Sequence, residues 1–378
     1  MKKKHLYPVS QSLSLGGVRG GLPVDIVLAP EWWYKNEGIT FDEDFFFHPV
    51  RRVEVEQQME KILFERWGKF GIGEHRNEKR PEIGAVHLAA GFLLSEMLGC
   101  EVRYSENHPP QVIAANGKLQ SIDIEKAFVS PAFRKIKNLA DELTKKYGYL
   151  TGDINWGGIL NIAMDLRGES IFLDMMMTPE DVTLYFEGIA GVVEKFTQWL
   201  ISKTGTTSIS VNRVVRHFGQ PVLLHSQCSH TMISEEDYEN FLLPFDQKWC
   251  KKRPYGIHYC GADPHRMAPS FAKIAHLDFL DVGWGGDLKM LRQFLPETFL
   301  NIRLSPVEIA RQTNDEIRET IHRLITDSGD LALTGVCCIN MDDSVSDEKI
   351  DVIFETVEEI KKASPSPSQE RDWESSQN

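Results

Sequence analysis

The chain has 378 residues, of which 42% are hydrophobic and 26% are charged, so it is long enough to bury a large core. Its 42 basic residues stand against 55 acidic ones, which gives a net charge of −13, and no face rich in lysine and arginine is apparent. This balance argues against a nucleic-acid-binding protein, because such proteins carry basic patches that contact phosphates.

Neither a signal peptide nor a membrane span is predicted. The basic start, MKKKHLYPVS, is not followed by an apolar segment. The most apolar stretch, Ile83 to Gly99, is short and is interrupted by His87 and Glu96, which predicts a buried helix. The six cysteines, at positions 100, 228, 250, 260, 337 and 338, lack a small-domain disulfide spacing and are expected to be reduced. We therefore expect a cytoplasmic protein that does not associate with membranes.

Residues 1–150 are interpreted as an N-terminal elaboration that packs on the main domain. The segment Glu31 to Pro49 is aromatic and acidic without a clear period, and the residues that follow carry apolar side chains at helical spacing. Between Asn107 and Ile124, an Asn-Gly pair at positions 116 and 117 predicts a short hairpin. These features are typical of a cap made of helices and a hairpin.

From residue 151 to residue 363, strand patterns alternate with helix patterns. The predicted strands are QPVLLHS, YGIHYC, LDFLDVG, TFLNI and LALTGV, and amphipathic segments separate them. Such alternation predicts a parallel sheet, and no G-x-G-x-x-G motif follows the first strands. We therefore predict an α/β protein with a (β/α)8 TIM barrel. The polar tail, residues 364–378, is predicted to be disordered.

In a barrel of this kind the active site lies at the carboxyl ends of the strands. These ends hold Asp153, Asn155, Trp156, His225, Cys228, His230, His258, Cys260, Asp281, Trp284, Asp287, Asn301, Arg303, Cys337 and Cys338. Five of them are candidates for contacting a substrate: Asn155, Trp156, Cys228, His230 and Trp284. For the Cys228–His230 segment, plain loop packing is an equal alternative, and core packing is the more common role of a tryptophan.

The segment GIHYC suggests a metal site. His258 and Cys260 are two residues apart, so on a strand they face the same side. Imidazole and thiolate are preferred zinc ligands. The alternative is a core histidine beside an inert thiol, and Cys337 on another strand of the same barrel makes that alternative weaker. Asp281 is either an orienting group or a strand-end cap.

Three features together resemble the uroporphyrinogen decarboxylase superfamily, and within it the zinc-dependent, corrinoid-linked methyltransferases. His258-x-Cys260 followed by Cys337, with 76 residues between the cysteines, is similar to the H-x-C…C signature of the coenzyme M methyltransferases. Residues 158–182 and 280–306 are similar to two further segments of the superfamily. The resemblance extends over about residues 152–363.

The resemblance implies a zinc ion held by His258, Cys260 and Cys337, with Asp281 in the place of an acidic fourth ligand. His258, Cys260 and Cys337 are thereby the expected catalytic residues. Cys338 is the competing thiol, because strand parity alone does not tell which of the two neighbours faces inward. The resemblance also implies a corrinoid (cobalamin) cofactor carried by a partner protein.

The aromatic N-terminal part resembles the aryl methyl ether demethylases, which implies methyl transfer from a small methylated substrate to the corrinoid. Three alternatives remain open. The first is a methylcorrinoid:thiol methyltransferase of the coenzyme M type. The second is a uroporphyrinogen decarboxylase-like enzyme, although no stretch like the decarboxylases' arginine-bearing RQAGRY occurs here. The third is a non-catalytic barrel with structural zinc.

Overall fold

A computed structural model describes residues 22–85, 87–206 and 221–363. Its main sheet contains six parallel strands in the order β1-β8-β7-β6-β5-β4. A separate antiparallel pair is formed by β2 and β3. The strands are β1 Val24–Leu28, β2 Glu101–Arg103, β3 Gln111–Ile113, β4 Leu223–Ser226, β5 Tyr255–His258, β6 Phe279–Val282, β7 Phe299–Leu304 and β8 Thr334–Met341.

Helices follow the strands and cover the sheet. They are α1 Pro30–Glu37, α2 Glu43–Phe47, α3 Pro49–Trp67, α4 Leu93–Met97, α5 Ile124–Ala127, α6 Pro131–Tyr147, α7 Ile159–Arg167, α8 Ser170–Met177, α9 Pro179–Thr204, α10 Glu235–Phe241, α11 Leu243–Trp249, α12 Ala268–Phe271, α13 Leu288–Phe294, α14 Pro306–Arg311, α15 Asn314–Ser328 and α16 Asp347–Ala363. The alternation predicted from the sequence is confirmed from β4 onward.

Two irregular extended segments, residues 81–85 and 150–155, complete the barrel between β1 and β4. They run parallel to each other through a bridge between Glu82 and Thr151. Their backbones come so close that a Cβ atom on Gly84 would lie 1.6 Å from the carbonyl oxygen of Asp153. Only glycine fits there. With these two segments the fold is the predicted (β/α)8 barrel.

Side chains alternate between two cores. Inside the barrel, Val27, Leu224, Phe279, Phe299 and Cys337 form an apolar layer with three other residues. The outer core lies between the strands and the helices and is much larger. On β8, Cys337 and Ile339 belong to the inner layer, whereas Val336 and Cys338 belong to the outer core. Strand parity therefore directs Cys337 inward and Cys338 outward.

The part before residue 151 contains helices and a hairpin, but it also contributes to the barrel. Its strand β1 pairs with β8 in the main sheet. The hairpin consists of β2 and β3, so the prediction that Asn116 and Gly117 form its turn is wrong. Asn116 lies beyond β3 and adopts a positive φ of 49°. Many aromatic residues of this part, among them Trp33, Phe41 and Phe45, are buried in the outer core.

The predicted helix from Ile83 to Gly99 is wrong over its first half. Among the described residues of this stretch, only Leu93–Met97 is helical. The residues before that helix form the irregular barrel segment 81–85 and the loop that follows it. Among the described helices, none combines the length and apolar character that crossing a membrane requires. The tail that was predicted to be disordered, residues 364–378, lies outside the described residues.

Candidate metal centre

The register of the sheet places a row of polar side chains inside the barrel. Ser226 pairs with His258 across β4 and β5, His258 pairs with Asp281 across β5 and β6, and Asp281 pairs with Asn301 across β6 and β7. Paired residues in neighbouring strands point to the same face, so these four side chains lie side by side. All four are buried, and Ser226 and His258 are the last residues of their strands.

Three potential metal ligands converge at His258, which is one member of this row. The ligand atoms of Cys228, His258 and Cys260 all lie within 4.8 Å of one another. The Sγ atom of Cys260 is 2.8 Å from Nε2 of His258 and 2.8 Å from Sγ of Cys228. Both cysteines are free and only half-buried. In the part of the chain that the structure describes, no further histidine, cysteine or carboxylate belongs to this group.

Local structure explains the convergence. His258 is the last residue of β5, and Cys260 lies just beyond the strand. Cys228 opens a 3-10 helix, Cys228–Met232, that follows β4. Because β4 and β5 are neighbours, the two strand ends bring the thiols together. The side chain of Asn161, on α7, accepts a hydrogen bond from the backbone N–H of Ser229 and so holds this turn.

Asp281 fixes the orientation of His258. Its Oδ2 atom hydrogen-bonds to Nδ1 of His258, and its Oδ1 atom accepts a hydrogen bond of 3.1 Å from Asn301. A carboxylate on Nδ1 holds the imidazole with Nε2 facing the two thiols. Asp281 therefore holds the imidazole on the side opposite the thiols and is not itself a member of the converging group.

A positive charge stands beside the thiols. Nη1 of Arg303, at the end of β7, donates a hydrogen bond of 3.2 Å to Sγ of Cys260. This guanidinium is 9% exposed, and its pKa is raised: burial alone would lower it, but Cys260 and Asp281 outweigh that effect. It stabilises negative charge on sulfur.

Hydrogen bonds couple the protonation of the three converging side chains. The pKa of Cys228 falls to about 7, chiefly because its sulfur accepts a hydrogen bond from Cys260. The pKa of Cys260 rises to about 12, because it donates that hydrogen bond and because it is buried. Burial alone would lower the pKa of His258, but Cys260 and Asp281 raise it to about 10. Without a metal, Cys228 is thus the thiol that ionises most readily.

The structure differs from the sequence-based ligand set at two positions. Cys337 does not join His258 and Cys260; it lies in the inner apolar layer, where its Sγ is 3.2 Å from the side-chain nitrogen of Asn301 and 3.5 Å from Asp281. Burial, together with Asp281, raises its pKa well above the ordinary value. Asp281, expected as a fourth ligand, contacts the opposite nitrogen of the imidazole. Cys228, predicted to contact substrate, takes the third place in the group.

The other four predicted substrate contacts differ in exposure and in surroundings. Trp156 is buried and stacks on His225, with ring centroids 6.1 Å apart. His230 is buried beside Tyr238. Asn155 is half-buried and lines a cavity of about 30 Å³, which has room for about two water molecules. Only Trp284 is well exposed, at 48%.

Sequence reasoning missed two supporting residues. Arg303 belongs to the strand-end residues, but nothing in the sequence singles it out. Asp246, on α11, is fully buried and accepts hydrogen bonds from His225, Tyr238 and Tyr255. Burial alone would raise the pKa of Asp246, but His225 and the two hydroxyl groups hold it below its ordinary value. Asp246 thereby anchors the end of β4, and a lone aspartate in a helical segment carries no sequence signal for this role.

Comparison with known proteins gives information on the fold. No family model matches the chain, and no curated protein matches it. Solved structures do. A methyltransferase from Methanosarcina mazei superposes with a TM-score of 0.61 at 13% identity, over 90% of this chain and 94% of that one. A B12-independent methionine synthase from Shewanella sp. W3-18-1 superposes with a TM-score of 0.48 at 9% identity, over 90% of this chain and 96% of that one. The first of these similarities supports the barrel fold.

Proposed function

We propose that the protein is a zinc-dependent methyltransferase that moves a methyl group from a small methylated substrate, such as an aromatic methyl ether, to the cobalt of a corrinoid protein. The observation that carries the proposal is the convergence of Cys228, His258 and Cys260 at the carboxyl ends of two barrel strands. The fold that the chain shares with a methyltransferase supports this class of reaction.

The donor set fits zinc. Two thiols and one imidazole are ligands that Zn²⁺ prefers, and three protein ligands with an open side are typical of catalytic zinc sites. A structural site would need four protein ligands and a closed shell, and the half-buried cysteines argue against it. Cys228 Sγ, His258 Nε2 and Cys260 Sγ would hold the ion. Bound zinc would act as a Lewis acid on the ether oxygen and stabilise the charge that develops there.

The surrounding residues prepare this group for the reaction. Asp281 keeps Nε2 of His258 directed at the ligand position. Arg303 stabilises the thiolate form of Cys260 and contributes positive charge close to the oxygen that must leave. The exposed Trp284, which follows β6, offers an aromatic face at the same end of the barrel.

Transfer in this direction breaks one bond to the methyl carbon and forms another. The bond between the methyl carbon and the ether oxygen breaks, and its electron pair stays on the oxygen, which takes a proton from solvent. A new bond forms between the methyl carbon and cobalt, and the electron pair of reduced Co(I) supplies it. The partner corrinoid protein is thus the methyl acceptor, and no residue of this chain is alkylated.

The decisive experiment mixes the purified zinc-loaded protein with a reduced corrinoid protein and a panel of isotopically methyl-labelled methoxyaromatic compounds. We expect label on the corrinoid with the wild type and none with Cys260→Ala. Cys250→Ala is the matched control, because Cys250 lies in the outer core away from the cluster and should retain activity.

Two outcomes would contradict the proposal. If methylated corrinoid and a simple thiol react quickly while no methylated donor labels the corrinoid, the transfer runs in the opposite direction. If neither reaction proceeds although zinc is bound, the barrel does not perform corrinoid-linked methyl transfer.

A further inference from the structure

The two sulfur atoms of the candidate metal centre lie close enough to bond to each other. Sγ of Cys228 is 2.8 Å from Sγ of Cys260, and both cysteines are free. A disulfide bond is about 2.05 Å long, so the two sulfur atoms need to approach by less than about 1 Å to form one. The same pair of side chains that fits a metal ion therefore also fits a covalent link.

The backbone around the two cysteines suits this link. Ser226 pairs with His258 across β4 and β5, and each cysteine comes two residues after its member of that pair. The backbone N–H of Gln227 donates a hydrogen bond of 2.7 Å to the carbonyl oxygen of His258, which joins the two chain segments just before the cysteines. Neighbouring strands lie about 4.8 Å apart, and disulfides join residues whose Cα atoms are about 4.4 to 6.8 Å apart.

Exposure distinguishes these two cysteines from the rest. The chain has six cysteines, and Cys228 and Cys260 are the two that are not fully buried. A dissolved oxidant reaches half-buried thiols far more easily than buried ones. The adjacent Cys337 and Cys338 face opposite sides of β8, one towards the inner layer and the other towards the outer core, so they do not form a comparable pair.

The local structure leaves both side chains room to move. Cys260 lies in the loop after β5, and Cys228 is the first residue of the 3-10 helix after β4. A small rotation of either side chain therefore does not break a hydrogen bond of the sheet. Nη1 of Arg303 donates a hydrogen bond to Sγ of Cys260, and its positive charge supports the thiolate form, which is the form that attacks an oxidant.

We propose that Cys228 and Cys260 are a reversible dithiol–disulfide pair that peroxides oxidise. One thiolate attacks a peroxide oxygen, the O–O bond breaks, and a sulfenic acid and hydroxide form. The second thiolate attacks that sulfur, the S–S bond forms, and the sulfenic oxygen leaves as hydroxide. With hydrogen peroxide, the two thiols lose two electrons and two protons, and the peroxide becomes two molecules of water.

The disulfide would remove two of the three candidate ligand atoms. Sulfur atoms of a disulfide carry no negative charge and do not replace thiolates as zinc ligands, so the oxidised centre would retain only the imidazole of His258. Oxidation would thus convert a metal-binding centre into one that binds no metal. This consequence rests on the zinc site of the proposed function, whereas formation of the disulfide does not.

The test treats the metal-free protein with one equivalent of hydrogen peroxide and counts thiols after denaturation. The wild type should fall from six thiols to four, and dithiothreitol should restore all six. Peptide mapping should find Cys228 joined to Cys260. The variant Cys228→Ser should give no cross-linked peptide, whereas the matched control Cys337→Ser should give the same cross-link as the wild type, because Cys337 is buried on another strand.

Two results would overturn the inference: a disulfide that joins other cysteines, or oxidation of single cysteines without any cross-link. The wild-type measurement needs no substitution, so a variant that fails to fold does not weaken the test. A zinc titration of the cross-linked protein then tests the consequence, and the affinity should be at least about a hundredfold lower than in the reduced protein. Undiminished affinity would contradict the zinc site and leave the redox pair standing.

Discussion

His258 and Asp281 are directly paired residues of neighbouring strands, and the carboxylate of Asp281 hydrogen-bonds to the nitrogen of His258 that faces away from the two thiols. The sheet register thus provides both the candidate ligand and the group that orients it. The fold holds these two residues in place whether or not a metal is bound.

The Asp281→Asn substitution should weaken zinc binding by roughly tenfold to a hundredfold, because the imidazole loses the carboxylate that fixes its tautomer. Competition with a chromophoric chelator would measure the change. Asp278→Asn is the matched control: Asp278 accepts a hydrogen bond from the backbone of Tyr255, which an asparagine also accepts. Equal zinc affinity in the two variants would show that Asp281 does not orient the ligand.

The two alternative third ligands are separated by a pair of serine variants. Cys228→Ser should lose most of the bound zinc, because its sulfur converges with His258 and Cys260. Cys337→Ser should retain it, because that sulfur lies beside Asn301 in the barrel interior. Elemental analysis of the purified variants gives the answer. Loss of zinc from Cys337→Ser alone would restore the set inferred from the sequence.

Zinc affinity should rise steeply with pH. In the metal-free protein the raised pKa values of His258 and Cys260 favour their protonated forms, whereas the lowered pKa of Cys228 favours its thiolate. Zinc binding must therefore release protons, so the logarithm of the affinity should increase with pH. Calorimetric titration in two buffers of different ionisation enthalpy counts these protons. A release near zero would contradict the proton distribution.

His230 should make the protein sensitive to acid. Burial, with a smaller effect from His225, lowers the pKa of His230 to about 3, whereas an unfolded chain has the ordinary value near 6.5. Between these values the unfolded state binds a proton that the folded state does not, so stability is complete above about pH 6.5 and is lost as the pH falls. One such group contributes up to about 1.4 kcal/mol per pH unit.

Urea unfolding between pH 7 and pH 5 measures this contribution. The free energy of unfolding should fall less steeply with decreasing pH in His230→Gln than in the wild type. His276→Gln, which removes an exposed histidine, should follow the wild type. Parallel pH profiles for wild type and His230→Gln would show that His230 is protonated in the folded protein.

Gly84→Ala should be strongly destabilising, by more than about 3 kcal/mol, because the new methyl group would collide with the backbone of Asp153 and separate the two irregular barrel segments. Gly157→Ala is the control: the nearest atoms would be 3.5 Å away, an ordinary contact. Thermal unfolding of both variants tests the difference. Similar melting temperatures would mean that the two segments are not tightly joined.

The sequence by itself determined the barrel and the place of its candidate site. Hydrophobic strands that alternate with amphipathic helices have few other ways to bury their apolar faces, so the pattern between β4 and α16 leads to a parallel barrel. The pair His258 and Cys260 was recognisable because side-chain direction on a strand depends only on parity. The irregular barrel segment 81–85 was misread as the start of a helix, because its apolar residues show no period that distinguishes an extended segment from a helix.

Only the tertiary structure decided which residues meet. The sequence pattern places both Cys228 and Cys337 at strand ends. In the structure the 3-10 helix after β4 brings the thiol of Cys228 to His258, whereas Cys337 lies within β8 and its thiol is in the inner layer beside Asn301. Parity and periodicity are local properties of the chain. The distances between ligand atoms depend on how turns and helices dock, which no local pattern encodes.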